Sequence, residues 1–248
     1  MVKFGSARIS EFNTVNGFRG DQTGTECMEQ QAYWHRNGWI GLRAKDPNVA
    51  NSIAWLMKCA CISDVVGYSQ SDRYAIFFSG LQENVPTNAD CSSLVAFCVW
   101  QSNIHNFEVN GFYTGNEVER LMGTGAFDKF AVNSLEELHT GDILVDGNLT
   151  SHTIVVTEGL PRNAGNVFDE PLPTLQWGST GNEVRKLQAF FREYGNADID
   201  VDGVFGKQTR DAVRFFQGAF GLATDGIYGP KTHDLLCFYL YVRGVTTI

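Results

Sequence analysis

The sequence predicts an α+β fold over residues 1–170, joined to a small all-α unit over residues 176–248. Three observations predict this division. Residues 47–101 contain apolar residues at helical spacing, whereas residues 141–159 contain two short segments rich in Val and Ile, as strands are. Pro171 and Pro173 favour an extended linker over residues 171–175. Beyond this linker the apolar spacing is helical throughout.

The composition excludes several classes of protein. The chain has 248 residues, of which 43% are hydrophobic and 19% charged, which is typical of a soluble globular protein with a core. Its first residues lack the apolar run of a signal peptide, and no stretch of about 18 apolar residues indicates membrane insertion. The six cysteines are scattered without a CxxC pair, which favours reduced thiols over a disulfide framework or a zinc site.

The charge is concentrated in the first unit. Residues 1–170 carry 11 Lys and Arg against 20 Asp and Glu, whereas residues 171–248 carry eight of each kind. Neither part has the basic stripe of a nucleic-acid-binding protein, so that class is set aside. No residue pattern indicates a metal or a cofactor, and we predict neither.

In the first unit the sequence predicts helices first and strands later. Asp46 and Pro47 are a favourable cap and first-turn pair for a helix through residues 48–62. A second helix follows GYSQSDR at residues 67–73, and a third begins at Cys91. GDILVDG and SHTIVVTEG then read as two strands, with a third near residues 166–168. The helices are expected to pack on an antiparallel sheet.

The stretch ADCSSLVAFCVW, residues 89–100, places a cysteine at a helix start. Asp90 is a good N-cap residue, so Cys91 lies at the positive end of the helix dipole, a position that lowers the pKa of a thiol. The alternative is a structural role, in which Cys91, Leu94, Val95 and Cys98 form one apolar stripe in the core.

A reactive cysteine requires a base, and the chain offers five histidines. His152 opens a strand directly after a turn, from which it can project towards a helix N-terminus. His35 falls in a predicted loop, His105 follows Cys91 too closely, and His139 precedes the GD turn. His233 belongs to the C-terminal unit.

The set DCSSLV, GDILV and SHTIVV resembles the NlpC-type cell-wall peptidases, a bacterial and phage branch of the papain-like fold, and more distantly the CHAP amidases and peptidases. The resemblance covers roughly residues 60–170. It implies that Cys91 is the nucleophile and His152 the base, with the backbone N–H of Cys91 in the oxyanion hole. It also implies that Tyr68, Asp90 and Ser92 lie at the substrate site.

The third catalytic residue departs from the family pattern. Relatives carry a polar residue roughly a dozen positions beyond the histidine, where this chain has Ala164. Asn166 fits a strand position best, with Asn163 and Asp169 as alternatives. Glu158 shares a strand face with His152 but lies about 20 Å along it, too far to orient the imidazole.

The C-terminal unit contains an internal repeat. DGVFGKQTRDAVRFF begins at Asp202 and DGIYGPKTHDLLCFY at Asp225, and a preceding helix is predicted over residues 182–194. Its Val184, Leu187, Phe190 and Phe191 are expected to face the core. Residues 175–240 resemble the three-helix peptidoglycan-binding module of cell-wall hydrolases; the alternative is a helical spacer.

A calcium loop is a weaker interpretation of part of this repeat. DIDVDG at residues 198–203 copies the first half of such a loop, but its twelfth position is Thr209 where a Glu is needed.

Together the two resemblances imply a phage or prophage endolysin, expected to be a monomer that stays in the host cytoplasm until a holin releases it to peptidoglycan. ISEFNTVNGFRGDQTGTE, residues 9–26, is similar to the opening of phage lysins that attack Gram-positive walls. Nearby Trp34 and Trp39 are expected to fill the core, with a position over the substrate groove as the alternative.

The resemblance favours cleavage of the γ-D-glutamyl–diamino-acid bond of the stem peptide. The alternative substrate is the N-acetylmuramoyl–L-alanine amide bond, cut by the same residues. A non-catalytic wall-binding adaptor and a transglutaminase-like acyl transferase are the other functions that the sequence leaves open.

Overall fold

The computed structural model of the protein describes residues 2–8, 14–21, 25–62, 65–81, 85–162, 174–193, 197–219, 222–233 and 235–236. The chain divides into two units, residues 1–164 and 165–248. The first combines an antiparallel sheet with helices, and the second is helical. In the described residues no helix is both long and apolar enough to span a bilayer.

The described residues of the first unit contain eight strands and four α-helices. The strands are β1 (Lys3–Ala7), β2 (Cys27–Gln31), β3 (Trp39–Ala44), β4 (Val66–Tyr68), β5 (Thr87–Ala89), β6 (Phe127–Ala131), β7 (Ile143–Asp146) and β8 (Thr153–Glu158). The helices are α1 (Pro47–Ile62), α2 (Ala75–Ser79), α3 (Cys91–Gln101) and α4 (Thr114–Gly123), with a 3-10 turn at Leu135–Glu137.

Six of these strands form one sheet in the order β2-β1-β8-β7-β3-β6, with every neighbouring pair antiparallel. β4 and β5 form a separate parallel pair. The predicted order of helices first and strands later is therefore wrong, because β1, β2 and β3 precede α1. β1 pairs with β8, about 150 residues away along the chain, and such a long-range pairing leaves no local signal in five residues.

Other predicted elements are confirmed. Asp46 caps α1, since its Oδ1 accepts the N–H of Asn48 at 2.8 Å. α3 begins at Cys91, and the two Val- and Ile-rich segments form β7 and β8. The strand predicted near residues 166–168 lies outside the described residues.

The two faces of the sheet are covered differently. α1 and α3 pack on one face, where Gly5 of β1 is required because a Cβ there would lie 2.6 Å from Cγ of Met57 in α1. On the other face a buried cluster contains Phe4, Trp39, Leu138, Leu144, Ile154 and Val156. The first unit therefore has two hydrophobic layers, one on each face of the sheet.

The second unit contains α5 (Asn182–Glu193) and α6 (Lys207–Ala219), and residues 230–233 and 235–236 are also helical. The four apolar residues predicted to face its core are all buried: Val184, Leu187, Phe190 and Phe191. The predicted helix over residues 182–194 is thus confirmed over 182–193, and residue 194 lies outside the described residues.

The internal repeat is held by two buried glutamines with matching contacts. Nε2 of Gln188 lies 2.8 Å from Oδ1 of Asp202 and 3.0 Å from Oγ1 of Thr209. Nε2 of Gln217 lies at the same two distances from Asp225 and Thr232. Each Asp therefore stabilises its own Asp-Gly turn. The calcium-loop interpretation needs the Asp202 carboxylate as a ligand, but Oδ1 of this carboxylate accepts the hydrogen bond from Gln188.

Replacing Gln188 with alanine is expected to loosen the first turn by about 1–3 kcal/mol, since buried partners lose their hydrogen bonds. The backbone N–H of Gly203 donates to Oε1 of Gln188 at 2.8 Å, so its hydrogen exchange in the full chain reports the change. Gln208→Ala, at an exposed position in α6, is the matched control and should leave exchange at Gly203 unaltered. Equal exchange in both variants would contradict this role of Gln188.

Candidate active site

The start of α3 is fixed by a capping box, in which Asp90 is the N-cap that the sequence predicts. Oδ1 of Asp90 accepts the N–H of Ser93 at 2.8 Å, and Oγ of Ser93 accepts the N–H of Asp90 at 2.8 Å. Such a box satisfies two backbone donors that a helix start leaves unpaired. Cys91 is the first residue of the helix and therefore has a fixed backbone position.

Arg73, in the segment before α2, contacts residues at the start of α3. Its guanidinium lies 3.1 Å from Oδ1 of Asp90 and donates to Oγ of Ser92 at 2.8 Å and to the carbonyl oxygen of Phe112 at 2.6 Å. Asp90 and Ser92, predicted at the substrate site, are both buried and use their side chains in these contacts. In the structure both side chains stabilise the start of the helix that carries Cys91.

Cys91 is buried, with 6% of its surface exposed. Burial and the nearby Asp90 carboxylate raise the pKa of the Cys91 thiol to about 12. Hydrogen bonds from the backbone N–H of Thr153 and the hydroxyl of Thr114 favour the thiolate without outweighing burial. The prediction of a lowered pKa at this helix start is therefore wrong for the free protein, because desolvation exceeds the helix dipole, and the resting group is a neutral thiol.

His152 lies directly before β8, next to the residue whose N–H contacts the Cys91 sulfur. Burial, with smaller contributions from His35 and Arg8, lowers the pKa of His152 to about 4, while Asp146 opposes these effects. The imidazole is therefore neutral near pH 7 and able to accept a proton. Among the described residues no hydrogen bond joins this ring to the Cys91 sulfur. The link between the two residues is Thr153, which follows His152 in the chain and whose N–H contacts the sulfur.

Asp146 organises the turn that carries His152. Its fully buried carboxylate accepts hydrogen bonds from the backbone N–H groups of Asn148, Thr150 and Ser151 and from the side chains of Asn37, Thr150 and Ser151. Burial would raise the pKa of Asp146, but these hydrogen bonds outweigh it and hold the pKa well below its usual range. The turn before β8 is thus tied to one charged group.

His35 is a second histidine at this end of the sheet, and the sequence places it only in a loop. Its Nδ1 lies 3.2 Å from Oδ1 of Asp146, and its ring is 5.1 Å from that of Trp39. It lies close enough to His152 to lower the pKa of that imidazole. The predicted third residue Asn166 and its alternatives Asn163 and Asp169 lie outside the described residues.

Two tyrosines lie near the nucleophile. Tyr68 ends β4, and burial together with the nearby Cys91 raises its pKa to about 12. Burial also raises the pKa of Tyr33, with Cys91 again contributing.

Trp39 is buried in the core as predicted, whereas Trp34 is 50% exposed, so its predicted core position is wrong. Trp34 lies in the irregular segment between β2 and β3, where no strand alternation directs its side chain inward.

Glu117 of α4 is a further ionisable group of the site, and nothing in the local sequence marks it. It is completely buried, and its Oε1 lies 2.8 Å from Oγ1 of Thr153. Burial raises the pKa of Glu117 to about 8. In the described residues no group of three or more His, Cys, Asp and Glu side chains is arranged to hold a metal ion.

Comparison with known proteins places both units. Residues 4–160 match the endolysin-like domain, and residues 180–236 match the putative peptidoglycan binding domain. No curated protein matches the chain.

Two solved structures also share sequence with a quarter of the chain. The SleB N-terminal domain is 42% identical over 26% of this chain and 89% of its own, with a TM-score of 0.26. The endolysin of Burkholderia AP3 phage is 44% identical over 26% of this chain and 24% of its own, with a TM-score of 0.25. The match to the endolysin-like domain spans well over half of the chain. The protein therefore belongs to the endolysin-like domain family.

Proposed function

We propose that the protein is a peptidoglycan hydrolase that cleaves an amide bond of the stem peptide, with Cys91 as nucleophile and His152 as base. The observation that carries this proposal is the Cys91 thiol at a capped helix start, in contact with the N–H of the residue that follows His152. The endolysin-like and peptidoglycan-binding matches support the substrate class.

The protonation states suggest general-base activation. A thiol with a pKa of about 12 is ionised to a fraction of roughly 10⁻⁵ at pH 7, so a thiolate must be generated as the substrate binds. His152, with its pKa near 4, accepts that proton. The sulfur then attacks the amide carbonyl carbon, and the N–H groups at the start of α3 face the developing oxyanion.

The two halves of the reaction use the same base. When the tetrahedral intermediate collapses to a thioester, protonated His152 gives its proton to the departing amine. Water then attacks the thioester while His152 takes its proton, which releases the acid and restores the thiol. His35, held by Asp146, is the polar side chain beside His152 that we propose orients the imidazole, and Asn166 is the alternative from the sequence.

The C-terminal module would hold the enzyme on an insoluble polymer and so raise the local concentration of substrate. Following the resemblance, we propose the γ-D-glutamyl–diamino-acid bond as the target and the N-acetylmuramoyl–L-alanine bond as the second candidate. The test is digestion of purified Gram-positive peptidoglycan followed by mass spectrometry of the new termini. A new diamino-acid amine supports the first bond and a new L-alanine amine the second, whereas binding without new termini supports an adaptor.

Replacing His152 with alanine is expected to lower the rate of peptidoglycan cleavage by about 10²–10⁴, because the neutral thiol loses its base. His139→Ala is the matched control. His139 lies by Leu160, beyond the far end of β8, about 20 Å from the first residue of that strand. Release of amino groups from purified walls measures both rates. An active His152→Ala variant beside an inactive His35→Ala variant would assign the base to His35 instead.

A further inference from the structure

Glu117 is a buried carboxyl group beside Cys91 for which the proposed mechanism has no role. Its residue surface is 0% exposed, and its Oε2 has no hydrogen-bond partner among the described residues. Its Oε1 contacts the hydroxyl of Thr153, and the backbone N–H of Thr153 contacts the Cys91 sulfur. One residue of β8 thus connects this carboxyl group to the nucleophile.

The hydroxyl of Thr153 meets both of its acceptor contacts only when Glu117 is protonated, although a hydrogen bond donated by Thr153 by itself lowers the pKa of Glu117. Oγ1 of Thr153 lies 2.8 Å from Oε1 of Glu117 and 3.2 Å from the carbonyl oxygen of Leu144, yet a hydroxyl has one hydrogen to donate. If Glu117 is ionised, two acceptors compete for that hydrogen. If Glu117 is protonated, its O–H donates to Thr153, whose hydroxyl donates to Leu144. Only the protonated form satisfies both contacts.

The charged surroundings agree with a neutral acid. Asp90 opposes ionisation of Glu117, and Arg73 favours it, but Arg73 already contacts Asp90, Ser92 and the carbonyl of Phe112. An ionised Glu117 also disfavours the thiolate of Cys91, so the two groups oppose each other's charge. Burial, the largest effect, and Asp90 raise the pKa of Glu117 to about 8, although the hydrogen bond with Thr153 and the charge of Arg73 lower it.

Glu117 also shares its helix with a contact to the nucleophile. α4 begins at Thr114, whose hydroxyl contacts the Cys91 sulfur, and Glu117 lies three residues further on, on the same side of the helix. α4 therefore reaches the sulfur directly through Thr114 and indirectly through the contact of Glu117 with Thr153 of β8.

We propose that Glu117 is a positioning residue of the Cys91 site: its protonated carboxyl group holds Thr153 and the start of α4 against the nucleophile, and its ionisation switches the site off. This inference rests on the proposed function, because it assigns Glu117 a role in the same reaction. It makes the enzyme sensitive to alkaline pH through a group that does not touch the substrate.

The test is the pH dependence of peptidoglycan cleavage between pH 6 and 10 in wild type, Glu117→Gln and Glu119→Gln. The amide of E117Q keeps a donor and an acceptor but cannot ionise. We expect equal rates within about twofold at pH 7, and a wild-type rate about tenfold below that of E117Q at pH 9, one unit above the pKa of about 8. E119Q, at an exposed position of the same helix, should follow wild type.

Alkylation of Cys91 by iodoacetamide, followed by mass spectrometry of its peptide, gives a readout that needs no substrate. Below the thiol pKa the rate should rise tenfold per pH unit in E117Q, whereas in wild type the rise should flatten above pH 8. The wild-type curve alone carries the test should E117Q fail to fold.

The outcomes separate the two proposals. Identical alkaline profiles for wild type and E117Q, in cleavage and in alkylation, would overturn the role of Glu117. A wild-type protein that cleaves no peptidoglycan, but whose alkylation curve flattens only when Glu117 is present, would instead refute the proposed function and leave the positioning role standing.

Discussion

Replacing Cys91 with alanine is expected to lower peptidoglycan cleavage by about a thousandfold or more, since no other group can form the thioester. The capping box at the start of α3 is formed by Asp90 and Ser93, so the helix should be retained. The release of new amino groups from purified walls measures the loss, and circular dichroism reports the fold. Binding to insoluble peptidoglycan should be unaltered, because the C-terminal module is not changed.

Cys98 provides the matched control for this substitution. It lies two turns further along α3, is completely buried, and belongs to the core and not to the site of Thr114 and Thr153. Cys98→Ala should keep the activity while losing some stability through the removed sulfur. If Cys91→Ala cleaves walls as fast as Cys98→Ala does, the cysteine is structural, and the sequence's alternative of an apolar stripe is correct.

Replacing Asp146 with alanine is expected to have the largest effect on stability, about 3–5 kcal/mol, with loss of activity in the variant that remains folded. Six donors from the turn and from Asn37 lose their common acceptor in the buried end of the sheet. The turn that precedes His152 then keeps only backbone hydrogen bonds, such as that from the N–H of Leu149 to the carbonyl oxygen of residue 146. Urea denaturation at pH 7 measures the free energy of unfolding.

Two further variants make the result specific. Asp146→Asn keeps the shape of the side chain but presents an NH₂ group to N–H donors, so an intermediate loss is expected. Asp128→Ala, on edge strand β6 with its carboxylate 70% exposed, should leave stability within about 0.5 kcal/mol of wild type. A stability of Asp146→Ala close to that of Asp128→Ala would mean that the turn holds its shape by its backbone alone.

The elements that the sequence predicts well are those with local signals. The caps of α1 and α3, the apolar face of α5 and the repeated Asp-Gly turns each depend on residues within a few positions of one another. The strands β1, β2 and β3 were missed because they are short and are stabilised by partners far away in sequence. β1 contains Gly5, which lowers its strand propensity yet is required by the approach of α1.

The candidate site divides in the same way. The sequence singles out Cys91 and His152, because a helix cap and a strand start are local features. It gives no indication of Thr114, Glu117 or Asp146 as site residues, since their relevance lies in contacts made across the fold.

The sequence by itself determined that the chain has an α+β unit with a cysteine at a helix start, followed by a helical unit with an internal repeat. Only the tertiary structure decided the protonation states, and it reversed the expected direction for Cys91. A helix start acts on a thiol through its own first turn, whereas desolvation depends on every atom that covers the sulfur. They include atoms of α4 and β8, two elements that follow α3 in the sequence and contact the sulfur only in the folded protein.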